Sequence, residues 1–381
     1  MMERKWEIIE LGKLVKILDK FRRPVTKKDR AKGSYPYYGA TGIQDYVDSY
    51  IFDGRYLLVG EDGAKWMSGD KSAFIIEGKS WVNNHAHVLK VGNSLIDKYL
   101  EFFLIHKDLS EYITGAIIPK LTQQSLKSIP IPVPPLPVQT RIVDELDCLQ
   151  GILSKKRQQL AEYHSLAQAI FHQMFGDPVV NEKGWEVKRL GEVFDITSSK
   201  RIYQNELLLE GIPFYKVSDI VSLIDKNEVV PNSFISEYTY KDLVKNGNVP
   251  QANDLLITSR GTLGKCYIVK MNDKFYFQDG MVTWLRQKEE PILPTYVSYV
   301  FLENSFKSYL YKNAKHTTVD YISIQHLSKM LIPLPPLPLQ QSFAARIAAI
   351  DSQRERLAAS IRELETLLAC RMETLLNCPQ A

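Results

Sequence analysis

The sequence has few cysteines and no arrangement of them that suits a metal or a disulfide framework. Cys148, Cys266, Cys370 and Cys378 are the four cysteines of 381 residues, and they contain no Cys-x-x-Cys pair. We therefore expect free thiols in a reducing cytoplasm. No apolar run approaches the roughly 18–20 residues that span a bilayer, and the first residues lack the apolar core of a signal peptide. These absences predict a soluble cytoplasmic protein.

Motifs for nucleotide binding and hydrolysis are also missing. The chain has no GxxxxGK[ST] loop, no GxGxxG after a strand, no HExxH and no GxSxG. The turns at 60–63 and 260–264 could cradle an anion, although a plain tight turn is the simpler interpretation. His85 and His87 have the spacing of two ligands on one strand, but no third ligand accompanies them. We predict that they pack or form hydrogen bonds, with no metal site.

What the sequence does contain is a long internal duplication. Trp6-Glu-Ile-Ile-Glu-Leu-Gly returns as Trp185-Glu-Val-Lys-Arg-Leu-Gly, and the proline-rich segment 131–139 (IPVPPLPVQ) returns at 332–340 as IPLPPLPLQ. Proline fixes φ and removes a backbone donor, so we predict extended, polyproline-like segments outside helices and central strands. Between these markers the two copies diverge. Matching segments at both ends of each copy, with divergent sequence between them, predict a tandem duplication.

Each proline-rich segment is followed by apolar residues spaced alternately three and four. This period near 3.5 continues for about five heptads and predicts a coiled-coil helix roughly 55 Å long. An ordinary amphipathic helix is the alternative, and the recurrence of the whole pattern disfavours it. The residues that we expect on the packing face are Leu146, Leu149, Leu153, Leu160, Ile347, Ile350, Leu357, Ile361 and Leu364.

Charge is concentrated near the start of the chain. The net charge is +4, yet residues 13–32 hold nine Lys and Arg against Asp19 and Asp29. Such a run is often a solvated surface, but on a near-neutral chain it favours a polyanionic partner. Basic side chains neutralise phosphates, and Arg, Gln and Asn can bind base edges. The residues that we predict to contact DNA are Lys27, Lys28, Arg30, Lys32, Tyr35, Tyr37, Lys65, Tyr215, Lys216, Arg260, Lys265 and Lys315.

Several motifs point to one family. They are Pro-Pro-Leu at 134–136 and 335–337, FGDP at 175–178 followed by NEKGW at 181–185, the two Trp-Glu-x-x-x-Leu-Gly openings, YYGATGI at 37–43 with FDGRYLLVG at 52–60, and WVNNHAHVL at 81–89. In this order they cover about 370 residues. Through them the whole chain resembles the specificity (S) subunit of type I restriction-modification systems.

The resemblance implies an α+β fold with two mixed, strand-rich target-recognition domains and two long antiparallel helices, arranged as a pseudo-two-fold repeat. The implied domains are recognition domain 1 (1–133), a proline-rich segment and spacer helix (134–178), recognition domain 2 (179–334), and a second proline-rich segment and spacer helix (335–381). Each domain would read one half of a bipartite DNA site, and the helices would fix the distance between the halves.

The resemblance also implies the partners. They are double-stranded DNA, two modification subunits that bind S-adenosylmethionine and methylate adenine, and two restriction subunits that use ATP and Mg²⁺. The chain itself would bind no cofactor and would have no catalytic site. Three other functions remain open. One is a nuclease or methyltransferase in its own right, for which no carboxylate set or aromatic-Pro-Pro motif is found. The others are a coiled-coil scaffold whose domains bind protein, and a similar subunit that serves a different restriction class.

Overall fold

The computed structural model describes residues 6–115, 117–226, 228–315 and 319–377. The chain forms two compact units. Unit 1 comprises the described residues of 1–158 and 357–381, and unit 2 comprises those of 159–356. Within the described ranges, no helix is both long enough and apolar enough to cross a membrane.

The first half of the chain contains twelve strands and four α-helices within the described residues. In chain order these elements are β1 (Glu7–Glu10), α1 (Leu11–Leu14), β2 (Val15–Ile17), β3 (Lys32–Gly39), β4 (Gly42–Val47), β5 (Phe52–Asp53), β6 (Tyr56–Gly60), β7 (Ala73–Ile76), β8 (Lys79–Val82), β9 (Ala86–Val91), α2 (Asp97–His106), β10 (Ile113–Thr114), β11 (Lys120–Leu121), α3 (Gln123–Lys127), β12 (Pro130–Val133) and α4 (Leu136–Phe175).

The second half repeats much of this order. Its elements are β13 (Glu186–Arg189), α5 (Leu190–Val193), β14 (Phe194–Thr197), β15 (Ile212–Tyr215), α6 (Val217–Lys226), β16 (Phe234–Ile235), α7 (Glu237–Lys245), β17 (Leu255–Thr258), β18 (Cys266–Ile268), β19 (Tyr276–Phe277), β20 (Val282–Gln287), α8 (Pro294–Leu302), α9 (Asn304–Lys312), α10 (Ile324–Lys329), β21 (Leu331–Leu334) and α11 (Leu337–Leu376).

The two units share one sheet plan. Unit 1 has an antiparallel sheet in the order β2-β9-β6-β7, and unit 2 has the equivalent β14-β20-β17-β18. A second sheet contains a parallel pair in both units, β3 with β8 and β15 with β19. The duplication seen in the sequence is therefore a duplication of topology.

The proline-rich segments differ from the prediction in their second half. Their first residues form edge strands, β12 pairing with β1 and β21 with β13, which agrees with the tolerance of edge strands for proline. The last four residues of each segment, however, are the first turn of α4 or α11, so the expectation that no part is helical was wrong. Proline fits there because the first turn of a helix has no intrahelical partner for its N–H groups.

The apolar residues of 96–107 and 293–313 predict one amphipathic helix in each stretch, and the second of these predictions is wrong. The amphipathic stretch at 293–313 is two helices, α8 and α9, separated at Glu303, whose backbone is extended with φ −65° and ψ 136°. The corresponding stretch of unit 1, near 96–107, is the single helix α2 as predicted. Gly176 ends α4 with φ +77°, a left-handed conformation that glycine adopts without strain.

The core of each unit includes parts of both long helices. In unit 1 the strands and α2 pack with Ile142 and Leu146 of α4 and with Met372 and Leu376 of α11. In unit 2 the equivalent core contains an aromatic group from α4 and α11, in which Phe171, Phe175 and Phe343 have ring centroids 5.2–5.6 Å apart. Within each unit, one half of α4 therefore packs beside one half of α11 in antiparallel fashion.

Candidate nucleic-acid interface

The basic segment of unit 1 is an exposed loop between β2 and β3. Lys27 and Lys28 lie in this loop, and Lys32 begins β3; all three side chains are exposed. Within the described part of the chain, none of their ammonium groups forms a salt bridge. The basic residues of this loop that do form salt bridges are Arg22 and Arg30. These three lysines are therefore available to an external anion.

Arg30 and Tyr37 are brought together beneath this loop. The Arg30 guanidinium lies 4.2 Å from the centroid of the Tyr37 ring, and its Nε donates to the carbonyl of Val25 at 3.1 Å while Nη1 donates to Asp45 at 3.2 Å. Tyr37 is only 1% exposed, and its hydroxyl accepts from the N–H of Val25 at 3.1 Å. Tyr37 is thus a buried support for the cation, whereas the sequence predicted a residue in contact with DNA.

A polar cleft opens next to this pair. It has a volume of about 390 Å³, and the side chains that line it include Thr26, Arg30, Gln44, Asn83, Asn84 and His85. The sequence analysis did not identify Gln44 or the two asparagines as site residues. Gln44 belongs to no motif, and it comes near Asn83 only because β8 lies parallel to β3 while β4 lies antiparallel on the other side of β3.

Behind the cleft lies a cluster of buried charges. Nδ1 of His87 lies 2.6 Å from the carboxylate of Asp19, and its Nε2 lies 2.8 Å from the carbonyl of Leu121. Both ring nitrogens thus face oxygen atoms that accept hydrogen bonds. Glu61 completes the cluster by forming salt bridges with Arg22 and Lys120. The two carboxylates of the cluster, Asp19 and Glu61, are thus paired within the fold with Arg22, Lys120 and His87.

The surroundings shift the pKa values of this cluster. Burial alone would raise the pKa of Asp19, but the hydrogen bond and charge of His87 outweigh it and hold that pKa below its ordinary value. Burial would likewise raise the pKa of Glu61. Its hydrogen bonds with Lys120 and Arg22 outweigh that effect, so the pKa is lower than its ordinary value. Glu61 in turn raises the pKa of Lys120.

The same cluster has the geometry of a metal-ligand set. One ligand atom each from Asp19, Glu61 and His87 lies within 4.8 Å of the others. Arg22 and Lys120 already pair with Glu61, however, and His87 uses both ring nitrogens. The donor set therefore fits internal cations and not a metal ion. Nδ1 of His85, the other half of the predicted histidine pair, contacts the carboxylate of Asp62 instead.

Unit 2 replaces this ionic cluster with hydroxyl groups. The backbone N–H of Glu61 donates to His85 O at 2.8 Å, and the equivalent N–H of Ser259 donates to Met281 O at 2.9 Å. Ser259 therefore stands where unit 1 has Glu61, and its hydroxyl bonds to that of Thr283, which occupies the strand position of His87. The backbone frame is retained and the side chains are different.

The predicted contact residues of unit 2 fall into separate groups. Arg260 and Lys315 lie together, because both pair through their backbones with Tyr321. Tyr215 is half-buried and stacks on Phe275 at 4.7 Å, beside the half-buried Lys216. Lys265 forms an ion pair with Asp225.

The remaining predicted residues of both units are placed as follows. Lys65 of unit 1 is exposed, and Tyr35 packs on Tyr50 at 5.2 Å. On the long helices Leu146, Leu153, Ile347, Ile350, Leu357 and Ile361 are buried, while Leu149, Leu160 and Leu364 are half-buried. The buried residues of the long helices that were not predicted on the packing face include Phe171, Phe175, Met372 and Leu376.

Comparisons with known proteins agree on one family. The family model described as the type I restriction modification DNA specificity domain matches residues 3–163 and again 182–366. A type I restriction enzyme specificity subunit of Haemophilus influenzae, named S.HindORF215P, is 31% identical over 358 residues, which cover 93% of this chain and 88% of that one. The MjaVIII specificity subunit of Methanocaldococcus jannaschii is 24% identical and covers 91% and 86% of the two chains.

Solved structures show the same fold. The type I restriction-modification S subunit of M. genitalium superposes with a TM-score of 0.59 at 14% identity, over 98% of this chain and 97% of that one. A chain from a structural study of type I restriction-modification complex assembly gives a TM-score of 0.56 at 17% identity, with 98% of both chains covered. With both halves of its sequence matched and its α+β plan of two strand-rich domains and two long helices shared, the chain belongs to the specificity-subunit family of type I restriction-modification systems.

Proposed function

We propose that this protein is the DNA-reading subunit of a type I restriction-modification complex, and that each domain reads one half of a bipartite site in double-stranded DNA. The domain built on β2-β9-β6-β7 would read the first block of specified bases. The domain built on β14-β20-β17-β18 would read the second block.

One observation carries this proposal. Equivalent backbone positions on the two frames hold chemically different side chains, the ionic set Glu61 and His87 in unit 1 against the hydroxyl pair Ser259 and Thr283 in unit 2. All four side chains are buried, so they support the frame from within and do not themselves contact bases. Two readers of different base sequences can share one backbone frame whose supporting side chains differ.

In this proposal the long helices set the separation of the two half-sites and dock the modification subunits. Each helix contains 40 residues, which corresponds to about 60 Å at ~1.5 Å per residue. Two ion pairs link the helices inside unit 1. Arg371 binds Glu145 through Nε and Nη2, and Arg157 binds Glu365. Such pairs favour one register of two helices over others.

The chemistry would belong to the partners. We propose that the chain is non-catalytic, that two modification subunits bring S-adenosylmethionine and methylate adenine, and that two restriction subunits bring ATP and Mg²⁺ for cleavage. The chain's own contribution would be the choice of sequence and the geometry of assembly. No cofactor is assigned to its own residues.

A base-resolution methylome tests the proposal. The chain is expressed with its cognate modification subunit in cells that lack other methyltransferases. The expected result is one motif with two specified blocks around an unspecified gap and a methylated adenine in each block. A continuous motif from a verified complex, or no methylation at all, would contradict the proposal. A duplicate of unit 1 in place of unit 2 should convert the motif to a symmetric one.

A further inference from the structure

The floor of the polar cleft of unit 1 contains two amide side chains that are hydrogen-bonded to each other. Asn83 is 2% exposed, its Oδ1 accepts from the N–H of His85 at 2.8 Å, and its Nδ2 donates to Gln44 Oε1 at 3.2 Å. Gln44 is exposed, and its amide lies so close to Gly39 that a Cβ at that position would require the amide to move. Asn83 is therefore held in place before a ligand arrives, and Gln44 is exposed to that ligand.

Above this floor stands an amide with its hydrogen-bonding groups unused. Asn84 is exposed, and within the described part of the chain its side-chain oxygen and nitrogen have no hydrogen-bond partner. Its backbone is held, because Nη1 of Arg22 donates to the carbonyl of Asn84 at 3.3 Å and to that of Ala86 at 2.8 Å. The buried ionic cluster thus anchors the residue whose side chain faces outward.

The charges around the cleft suit nucleic acid. Lys27 and Lys28 are exposed on the same loop as Thr26, which lines the cleft. Of the nearby carboxylates, Asp45 pairs with Arg30, Asp62 bonds to Nδ1 of His85, and Asp29 accepts a hydrogen bond from the Thr26 hydroxyl at 2.5 Å. Phosphates could therefore bind the lysines while a base edge enters the cleft beside them.

We propose that this cleft reads one adenine of the first half-site, with Asn84 as the bidentate reader and Gln44 beside it; this inference rests on the proposed function. The carboxamide of asparagine offers one acceptor and two donors, which match N6–H and N7 on the major-groove edge of adenine. Arg30 would instead favour guanine, but it lies over Tyr37 with Nε and Nη1 committed to Val25 and Asp45. Arg30 therefore helps to position the DNA and supplies positive charge.

The test compares methylomes of complexes that contain the wild-type chain, Asn84→Ala or Asn93→Ala. Asn93 is an exposed asparagine of the same unit outside the cleft. Asn84→Ala should make a single adenine of the first block degenerate, while the second block and the gap length stay unchanged. Asn93→Ala should leave the whole motif intact. Gln44→Ala should affect the same position or its neighbour.

A binding measurement with the wild-type complex covers the case in which a variant fails to assemble. Duplexes carry 7-deazaadenine, which lacks N7, at each adenine of the first block in turn. One position should lose affinity on the order of tenfold, and Asn84→Ala should abolish that difference. Equal tolerance of the analogue at every adenine, or an unchanged motif for Asn84→Ala, would overturn the inference and leave the bipartite motif standing. Failure of the wild-type complex to show a bipartite motif would instead refute the proposed function, and this inference with it.

Discussion

The side chain of Gln139 accepts a hydrogen bond from the backbone N–H of Ile96 at 2.8 Å, and Gln340 makes the same bond to Leu293 at 2.8 Å. Both glutamines are at most 1% exposed. Each also donates from Nε2 to a carbonyl of its own proline-rich segment, at Pro134 or Pro335, at 2.8 Å. One residue per copy therefore joins the start of a long helix to the segment that precedes it and to the adjacent domain.

The adjacent pair Gln340 and Gln341 tests this arrangement. Gln340→Ala leaves the N–H of Leu293 and the carbonyl of Pro335 buried without a partner, which costs about 1–3 kcal/mol for each group. Gln341 is exposed, so Gln341→Ala is the matched control. Calorimetric unfolding of the full chain should show a lower melting temperature for Gln340→Ala and none of that loss for Gln341→Ala. Equal melting temperatures would show that the hydrogen bonds add no stability.

Much of the fold could be predicted from local sequence signals. The β-branched and aromatic residues of segments 56–60, 73–77 and 85–91, and of 254–258, 265–269 and 281–286 in the second half, predict strands. The strands of the structure match these segments to within a residue or two. Local signals failed at residues whose position within a helix matters more than their intrinsic helix propensity. Leu136-Pro137 looks like a helix breaker, yet it begins α4 because the first helical turn accepts proline.

The cleft could not be predicted because its parts are distant in the chain. Gln44 and Asn83 are 39 residues apart in the chain. Their side chains come within hydrogen-bonding distance because β3 pairs with both β4 and β8. Asp19, Glu61 and His87 likewise come from three separate segments. The sequence marked His87 by its spacing to His85, but the spacing could not show that their partners are different carboxylates, Asp19 and Asp62.

The buried cluster predicts a pH-dependent stability for unit 1. The pKa of Asp19 is lowered from 3.8 in the folded state, so its contribution is complete above pH 3.8 and is lost as the pH falls through the folded value. Asp19→Asn removes the buried carboxylate that faces Arg22 and His87 and should cost about 3 kcal/mol at pH 7. Urea unfolding from pH 7 to pH 3 should show the difference from wild type shrinking toward the acid end. Asp53→Asn, at an exposed carboxylate, should differ little at any pH.

The helix pairing inside unit 1 predicts a contrast between two neighbours. Leu153 is 6% exposed and shares a cavity of about 750 Å³ with Leu368 and Met372, whereas Ile152 is 39% exposed. Leu153→Asp would bury an unpaired charge, which costs several kcal/mol, and should weaken both thermal stability and recruitment of the modification subunit. Ile152→Asp should do neither. Size-exclusion chromatography with light scattering would measure the assembly, and a Leu153→Asp chain that assembles fully would show that helix packing is not needed for docking.

The exposed lysines predict the salt dependence of DNA binding. Each phosphate neutralised by Lys or Arg contributes about 0.9 to the slope of log K against log salt concentration. Lys27→Ala with Lys28→Ala should therefore reduce the slope by about two, and affinity should fall for all sequences alike because phosphate contacts carry no base information. Lys155 and Lys183 are equally exposed lysines outside the basic segment, so their double alanine variant is the control. The slope is measured on the assembled complex from 50 to 300 mM salt, roughly the range in which such slopes are resolved. An unchanged slope for the double variant of Lys27 and Lys28 would mean that the phosphate contacts lie elsewhere on the chain.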